Sequence, residues 1–160
     1  MSSIQKITPF LWFDQQAEEA AQLYTSLFAN SRIDAVTRYG EEGPGPKGSA
    51  MTVSFHLAGL KFTALNGGPV YKFTEAISFM VHCDDQQEID KLWEKLTSGG
   101  QEIQCGWLKD KYGLCWQIVP TRFFEMIQDP DPARTGRVMQ AMFQMKKFDI
   151  AALEAAYRQQ

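Results

Sequence analysis

The sequence predicts an α+β protein built from two βαβββ modules with cupped, mixed sheets, followed by C-terminal helices. The apolar patterns follow the order strand, helix, strand, strand, strand, and this order occurs twice along the chain. A shift of 69 residues aligns the two helical patterns, because it places Leu23 on Leu92 and Leu27 on Leu96. Residues 121–160 then carry helical spacing, which predicts a helical extension. We therefore expect a single domain over 1–160.

The first module is expected to span residues 6–68. Residues 7–13 are apolar and aromatic, which is typical of a strand, and Asp14 is expected to cap the helix that follows. That helix is marked by apolar residues at i, i+3 and i+4 spacing, namely Ala17, Ala20, Ala21, Tyr24, Leu27 and Phe28. Residues 32–39 alternate and predict the second strand.

The rest of the first module is predicted to be a loop and a hairpin. Residues 40–49 form a Gly/Pro loop that is too broken for a helix or a strand. Two alternating segments, 51–57 and 60–65, are joined at Ala58-Gly59, which predicts a hairpin. The following segment 66–69 (NGGP) leaves two interpretations open: its backbone N–H groups cradle an anion, or they are used at the hairpin exit.

The second module is expected to span residues 74–120. A strand at 75–83 leads into a helix that begins at Asp84-Asp85 and ends at Gly99-Gly100. Two further strands are predicted at 102–109 and 113–119.

The C-terminal extension, 121–160, is predicted to be helical. It begins with the segment 122–128 and a Pro/Asp turn at 129–132, and helices are expected at 133–146 and from Asp149, where Phe148 is placed to contact Leu153. Their apolar residues exceed what one stripe needs, and these include Val138, Met139, Met142, Phe143 and Met145. We expect the extra surface to form a homodimer contact, and the alternative is that it packs only on its own chain.

Composition excludes several classes of protein. The chain has 160 residues, 44% of them apolar, and a net charge of −3, so most of it is expected to be globular. The charge balance argues against a nucleic-acid partner, and no apolar run is long enough to span a membrane. Three cysteines without CxxC spacing predict neither a disulfide framework nor a zinc site. Reduced thiols are expected in a cytoplasmic protein.

Several segments in combination resemble the PhnB-like family. This family belongs to the vicinal-oxygen-chelate superfamily, which also contains glyoxalase I, bleomycin-resistance proteins and extradiol dioxygenases. The segments are 7–14 (ITPFLWFD), 17–21 (AEEAA), 65–69 (LNGGP), 107–113 (WLKDKYG), 116–120 (WQIVP) and 137–142 (RVMQAM). The family is often labelled 3-demethylubiquinone-9 3-methyltransferase. The resemblance implies a glyoxalase/bleomycin-resistance/dioxygenase-like pairing of βαβββ modules, a cleft in each cupped sheet and, usually, a homodimer.

The resemblance also indicates where a superfamily metal would bind. Aligning the strands places its ligands at Ile7, Ala76 and Gln117, with Thr63 as the repeat equivalent of Gln117. Isoleucine and alanine offer no ligand atom, and glutamine offers one neutral oxygen. We therefore expect neither this metal nor another cofactor.

A cleft without a metal needs other groups to bind a small molecule. Alternation predicts that Gln117 and Ser78 point into the second cleft. The flat side chains of Trp12, Trp107, Tyr112 and Trp116 are expected to supply walls for a planar ligand. Asp110 either faces the cleft mouth beside Tyr112 or closes a turn, and each aromatic side chain is alternatively part of the core.

The function expected from these residues is small-molecule binding, through sequestration or sensing of a ligand that the sequence does not identify. The alternative is an enzyme of the same fold, either a metal-dependent lyase or isomerase or the methyltransferase of the family label. The lack of a ligand triad favours binding.

Overall fold

The computed structural model describes residues 4–159 and divides the chain into two compact units, Met1–Lys72 and Phe73–Gln160. Each unit holds one four-stranded mixed sheet, and helices follow the last strand of the second unit. The predicted α+β class with repeated βαβββ units and C-terminal helices is therefore confirmed. None of the described helices is long and apolar enough to cross a membrane.

The first unit contains one helix and four strands. Their bounds are β1 Phe10–Phe13, α1 Ala17–Leu27, β2 Arg32–Arg38, β3 Ala50–Leu57 and β4 Leu60–Asn66. The strand order is β1-β4-β3-β2, with β1 parallel to β4 and the other pairs antiparallel. The predicted hairpin is confirmed, because Ala58 and Gly59 adopt the positive φ angles of 47° and 84° that a two-residue turn needs.

The core of the first unit lies between α1 and one face of its sheet. Tyr24 is fully buried on α1, and the rings of Phe55 and Phe62 stack at 5.4 Å on the facing strands. Burying a side chain of this kind contributes about 1.5–3 kcal/mol. Strand residues of the opposite parity, such as Trp12, are only half-buried. They form the far face of the first sheet, which is the face turned away from α1.

The start of α1 differs from the prediction that Asp14 caps it. Gln16 occupies the N-cap position and its side chain makes no capping hydrogen bond. The carboxamide oxygen of Asn66, at the end of β4, instead accepts a hydrogen bond of 2.8 Å from the Ala17 N–H. Because β1 and β4 run parallel, the end of β4 lies beside the start of α1, and a residue distant in sequence supplies the cap.

The second unit contains the remaining elements. Their bounds are β5 Ser78–Cys83, α2 Gln86–Thr97, β6 Gln101–Glu102, β7 Trp107–Lys109, β8 Cys115–Pro120, α3 Thr121–Ile127, α4 Pro132–Phe143 and α5 Ile150–Arg158. The strand order is β5-β8-β7-β6, with β5 parallel to β8. Asp85 caps α2 as predicted, because its carboxylate accepts a hydrogen bond of 2.8 Å from the Glu88 N–H.

The single strand predicted at 102–109 is wrong. The segment forms two short strands, β6 and β7, that pair with each other in antiparallel fashion. The chain reverses between them because Cys105 and Gly106 have φ angles of 59° and 82°, which are incompatible with a continuous strand. Strands β1 and β5 also begin later than predicted, so Ile7 and Ala76 lie outside them.

The C-terminal helices pack within the second unit. The Arg122 guanidinium forms an ion pair of 2.6 Å with Glu154 of α5, and Arg137 of α4 donates to the Ala156 carbonyl at 2.9 Å. Val138 is fully buried and Met142 nearly so. Part of the apolar surface that we expected at a dimer contact is therefore used inside the unit, whereas Phe143 remains 58% exposed.

Candidate functional site

The candidate site lies on the far face of the second sheet, which is the face turned away from α2. The parallel register of β5 and β8 pairs Ser78 with Cys115 and Met80 with Gln117. Side chains of directly paired residues lie on the same face of a sheet. The predicted grouping of Ser78 with Gln117 therefore agrees with the strand register.

A hydrogen bond joins these two side chains. The Gln117 Nε2 group donates to the Ser78 hydroxyl oxygen at 2.9 Å, and both residues are partly buried. This bond uses one of the two amide hydrogens and fixes the plane of the carboxamide. Within residues 4–159, no other side-chain hydrogen bond involves this carboxamide, so one N–H and the oxygen are left without a side-chain partner.

Apolar and charged neighbours complete this face. Trp107 of β7 pairs with Gln117, and Met80 is 42% exposed. Lys109, which pairs with Cys115, forms an ion pair with Glu75, and this hydrogen bond lowers the pKa of the Glu75 carboxyl group and raises that of the Lys109 amine. The face thus combines an oriented amide, flexible apolar surface and a charge pair, which is the mixture typical of small-molecule sites.

Asp110 lies in the turn between β7 and β8 and is only 3% exposed. Its carboxylate accepts hydrogen bonds from the backbone N–H groups of Tyr112 and Leu114, at 2.9 and 3.0 Å, and from the Trp116 indole at 3.0 Å. This geometry corresponds to the turn-closing alternative for Asp110. A ligand contact through Asp110 or Tyr112 stays a prediction.

Trp116 lies on the opposite face of β8 from Gln117, because successive strand residues alternate. It is 2% exposed, and its ring meets that of Phe79 edge-on at 5.5 Å. The structure therefore groups Gln117 with Ser78 and, separately, Trp116 with Asp110 and Tyr112. Trp116 is therefore part of the core, which is one of the two roles that the sequence left open for it.

Trp12 belongs to the first unit. Its indole N–H donates to the Gly68 carbonyl at 2.9 Å, and its ring lies so close to Gly67 that a Cβ atom there would be 2.3 Å from it. The N–H groups of Gly67 and Gly68 donate to the carbonyls of Phe13 and Asp14. These N–H groups are therefore used at the hairpin exit, and the anion cradle is not formed.

The residues at the superfamily metal positions do not fit a metal. Ile7 is 82% exposed, and both Ile7 and Ala76 lack a ligand atom, which leaves Gln117 alone. Among residues 4–159, no group of three His, Cys, Asp or Glu side chains is placed to hold a metal ion.

One recess was not anticipated from the sequence. A cavity of about 450 Å³ lies in the first unit beside the Gly/Pro loop, and Asp14, Arg38 and Tyr39 are among its lining residues. The length of this loop is a feature of the sequence that could have indicated the cavity. A ten-residue loop between two short strands is long for a hairpin connection.

The two βαβββ units with mixed four-stranded sheets define a protein of the vicinal-oxygen-chelate fold. The family described as 3-demethylubiquinone-9 3-methyltransferase matches residues 5–119. The chain belongs to this PhnB-like family, as the resemblance in the sequence indicated. The helical extension beyond β8 lies outside the matched residues.

Comparison with solved structures supports the family through one relative and the fold through two others. A putative 3-demethylubiquinone-9 3-methyltransferase, PhnB protein, from Bacillus cereus is 39% identical, with a TM-score of 0.69, and the match covers 73% of this chain and 100% of that one. Protein PA1353 from Pseudomonas aeruginosa is 21% identical over 74% of this chain and 98% of its own, with a TM-score of 0.61. The fosfomycin resistance protein FosX from Mesorhizobium loti is 11% identical over 73% and 92%, with a TM-score of 0.50. These last two show the fold alone. No curated protein matches the sequence.

The three cysteines differ in burial. Burial raises the pKa of the Cys83 thiol to about 12 and also raises that of Cys115, whereas Cys105 is half-buried. Because the thiolate is the reactive species, we expect a disulfide reagent at pH 8 to modify Cys105 rapidly and the other two only on unfolding. Colorimetric titration of the native protein should give one fast thiol, and Cys105→Ser should remove it. Two or more fast thiols would contradict this burial pattern.

Proposed function

We propose that the chain binds a small organic molecule on the far face of its second sheet, and that it does so without the superfamily metal. The observation that carries the proposal is the Gln117 carboxamide, held by Ser78 at 2.9 Å at a position where metal-using relatives would place a ligand. A fixed amide loses little conformational entropy when it binds, so it is prepared to hydrogen-bond a ligand directly.

The chemistry of the face limits what it would bind. The carboxamide offers one donor and one acceptor, which matches an amide, a carboxylic acid or a similar paired group on the ligand. Met80 and Trp107 lie beside it and offer an adaptable thioether and a flat indole, which suit an apolar or aromatic body. The buried Cys115 thiol, whose pKa is raised by burial, is a poor nucleophile. These features support reversible binding.

The test of this proposal is Gln117→Leu. We expect it to weaken ligand binding by about 1–3 kcal/mol, because a polar group of the ligand loses its partner, while the free energy of unfolding stays nearly unchanged. The ligand comes from a thermal-shift screen, where a compound at about 100 times its dissociation constant adds about 2.7 kcal/mol to stability. Calorimetry then compares both proteins.

The matched control is Gln87→Leu. Gln87 is exposed on α2, which packs against the opposite face of the same sheet, so the change adds a similar apolar side chain away from Gln117. Unchanged affinity in Gln117→Leu would remove Gln117 from the site.

The compounds found in this screen can then be used to test the enzymatic alternatives. The Bacillus cereus relative is described as a putative methyltransferase. Methyl transfer would show as a product whose mass has increased by one methylene group when a methyl donor is present. A lyase or isomerase of this fold would show turnover that a chelator abolishes. Stable binding without turnover, with and without a chelator, supports the proposal.

We also propose that the chain acts as a homodimer in the cytoplasm. Phe143 on α4 and Ile127 at the end of α3 are 58% and 36% exposed, and apolar surface of this kind is frequently covered by a partner. Free cysteines support a reducing compartment.

We expect light scattering at micromolar concentration to give about twice 18.2 kDa. Phe143→Asp should shift the equilibrium towards the monomer, because it places a carboxylate in the contact. Met142→Asp is unsuitable for this test, because Met142 is only 9% exposed within its own unit. A mass near 18.2 kDa for the unaltered chain would contradict the dimer.

A further inference from the structure

We propose that the cavity of the first unit is a second binding site, and that it takes a small organic cation carrying several N–H donors, such as an alkyl guanidinium or a primary alkyl ammonium. The cavity has a volume of about 450 Å³, which is within the range of small-molecule sites. Its walls come from the segment before α1, the end of β4 with residues 67–69, and the loop between β2 and β3.

The Gly/Pro loop between β2 and β3 forms one wall of this cavity, and its own contacts fix its shape. Tyr39 closes the base of the loop through two backbone hydrogen bonds of 2.9 Å, one with Ser49 and one with Gly48. The tyrosine ring is 7% exposed, and Gly43 and Gly45 lie against it so closely that Cβ atoms there would approach ring atoms to 2.6 and 2.4 Å. The two glycines therefore let the loop wrap around the ring and keep the cavity shape.

The hydrogen-bond donors that line the cavity are largely committed. The Tyr39 hydroxyl donates to the Asn66 carbonyl at 2.5 Å, and the Asn66 amide donates to the Ala50 carbonyl at 3.1 Å. The N–H groups of Gly67 and Gly68 bond to carbonyls of the segment before α1. Prolines 44, 46 and 69 have no N–H at all.

The carboxylate oxygens that line the cavity, in contrast, still have capacity to accept hydrogen bonds. Asp14 is exposed, and its carboxylate accepts no side-chain hydrogen bond within the described residues. Within residues 4–159, Glu18 pairs through its Oε2 atom alone, in an ion pair of 3.4 Å with Arg38. The lining contains two carboxylates and one guanidinium, so its net charge is about −1 at neutral pH. A ligand that brings positive charge and N–H donors completes these bonds, whereas an anion meets repulsion.

Arg38 already illustrates the mode of binding. Its guanidinium bonds to the Glu18 carboxylate at 3.4 Å and to the Gly48 carbonyl at 3.3 Å, so it bridges a carboxylate and a loop carbonyl. A guanidinium or ammonium group of the ligand would make the same two kinds of bond at Asp14 and at carbonyls of the wall. Charge-assisted hydrogen bonds of this type are the strongest that a small polar site offers.

The experiment is an NMR titration of the isotope-labelled full chain with butylguanidinium, butylammonium and, as the anionic comparison, butyrate. We expect the two cations to shift the backbone amides of residues 14–18, 45, 47–50 and 66–68 saturably, and 0.5 M salt to weaken the binding. Butyrate should leave these amides unmoved. Absence of saturable shifts at millimolar cation, or equal shifts with butyrate, would overturn the proposal.

The decisive variant is Asp14→Asn, which keeps the shape of the side chain and removes its charge. We expect affinity for both cations to fall by about tenfold, which corresponds to about 1.4 kcal/mol, with no change in thermal stability. Glu41→Gln is the control, because Glu41 lies on the same loop, pairs with Lys47 at 2.7 Å and does not line the cavity. Equal affinity in Asp14→Asn and the unaltered chain would contradict the site. Gln117→Leu should leave cation binding unchanged, so this proposal fails or holds separately from the first.

Discussion

Asp110→Ala is expected to destabilise the protein by about 3–5 kcal/mol, which is a large part of the total stability of a typical domain. The 3% exposed carboxylate accepts two backbone N–H bonds and the Trp116 indole bond. Removing it leaves these donors buried without their acceptor, and each such donor costs about 1–3 kcal/mol. The turn between β7 and β8 would lose the group that closes it.

Urea unfolding followed by tryptophan fluorescence measures this effect. Asp85→Ala is the matched control, because Asp85 also accepts a backbone N–H bond but does so at the exposed start of α2, where the loss of a cap costs about 1 kcal/mol. If Asp110→Ala costs no more than Asp85→Ala, the buried network does not hold the turn. Asp110 would then be a candidate ligand contact again.

Gly106→Ala is expected to cost about 3 kcal/mol or more, and the variant will fold only with local rearrangement. Gly106 has a φ angle of 82°, and a Cβ atom there would lie 2.4 Å from the Phe148 ring and 2.9 Å from the Ile118 carbonyl. The N–H of Gly106 also donates to the Lys146 carbonyl at 2.7 Å, which ties the segment after α4 to the sheet. Strain and overpacking act at the same position.

The control for this change is Gly136→Ala in α4. A Cβ atom at Gly136 meets nothing within 4 Å, and alanine favours a helix, so we expect a stabilisation of about 0.5–1 kcal/mol. Thermal unfolding of the two variants should therefore move in opposite directions. A Gly106→Ala protein as stable as the unaltered chain would show that Phe148 does not pack against this turn.

Local patterns were sufficient to predict most of the elements. The Ala58-Gly59 hairpin and the Asp85 cap were predicted because each depends on residues close in sequence. The break at Cys105 was missed because a positive φ angle is unusual for cysteine, and the backbone contacts with residues 145 and 146 that favour it come from the distant C-terminal segment. The cap of α1 was missed for the same reason, since Asn66 lies 49 residues from Ala17.

The candidate site was partly predictable. Alternation along a strand has a period of two, so the shared face of Ser78 and Gln117 followed from parity once the strands were placed. Their hydrogen bond depends on the parallel register, which the sequence does not encode locally. The cavity beside Tyr39 was missed because the Gly/Pro loop takes its shape from the ring it encloses.

The most direct test of the central claim is an NMR screen of a fragment library in the presence of a chelator, with the Gln117 side-chain amide and the Ser78 backbone amide as reporters. The proposed function predicts fragments that shift both signals saturably and whose affinity is the same with and without the chelator. Fragments that bind only when a divalent metal is supplied, or a library whose hits never move these two signals, would contradict it.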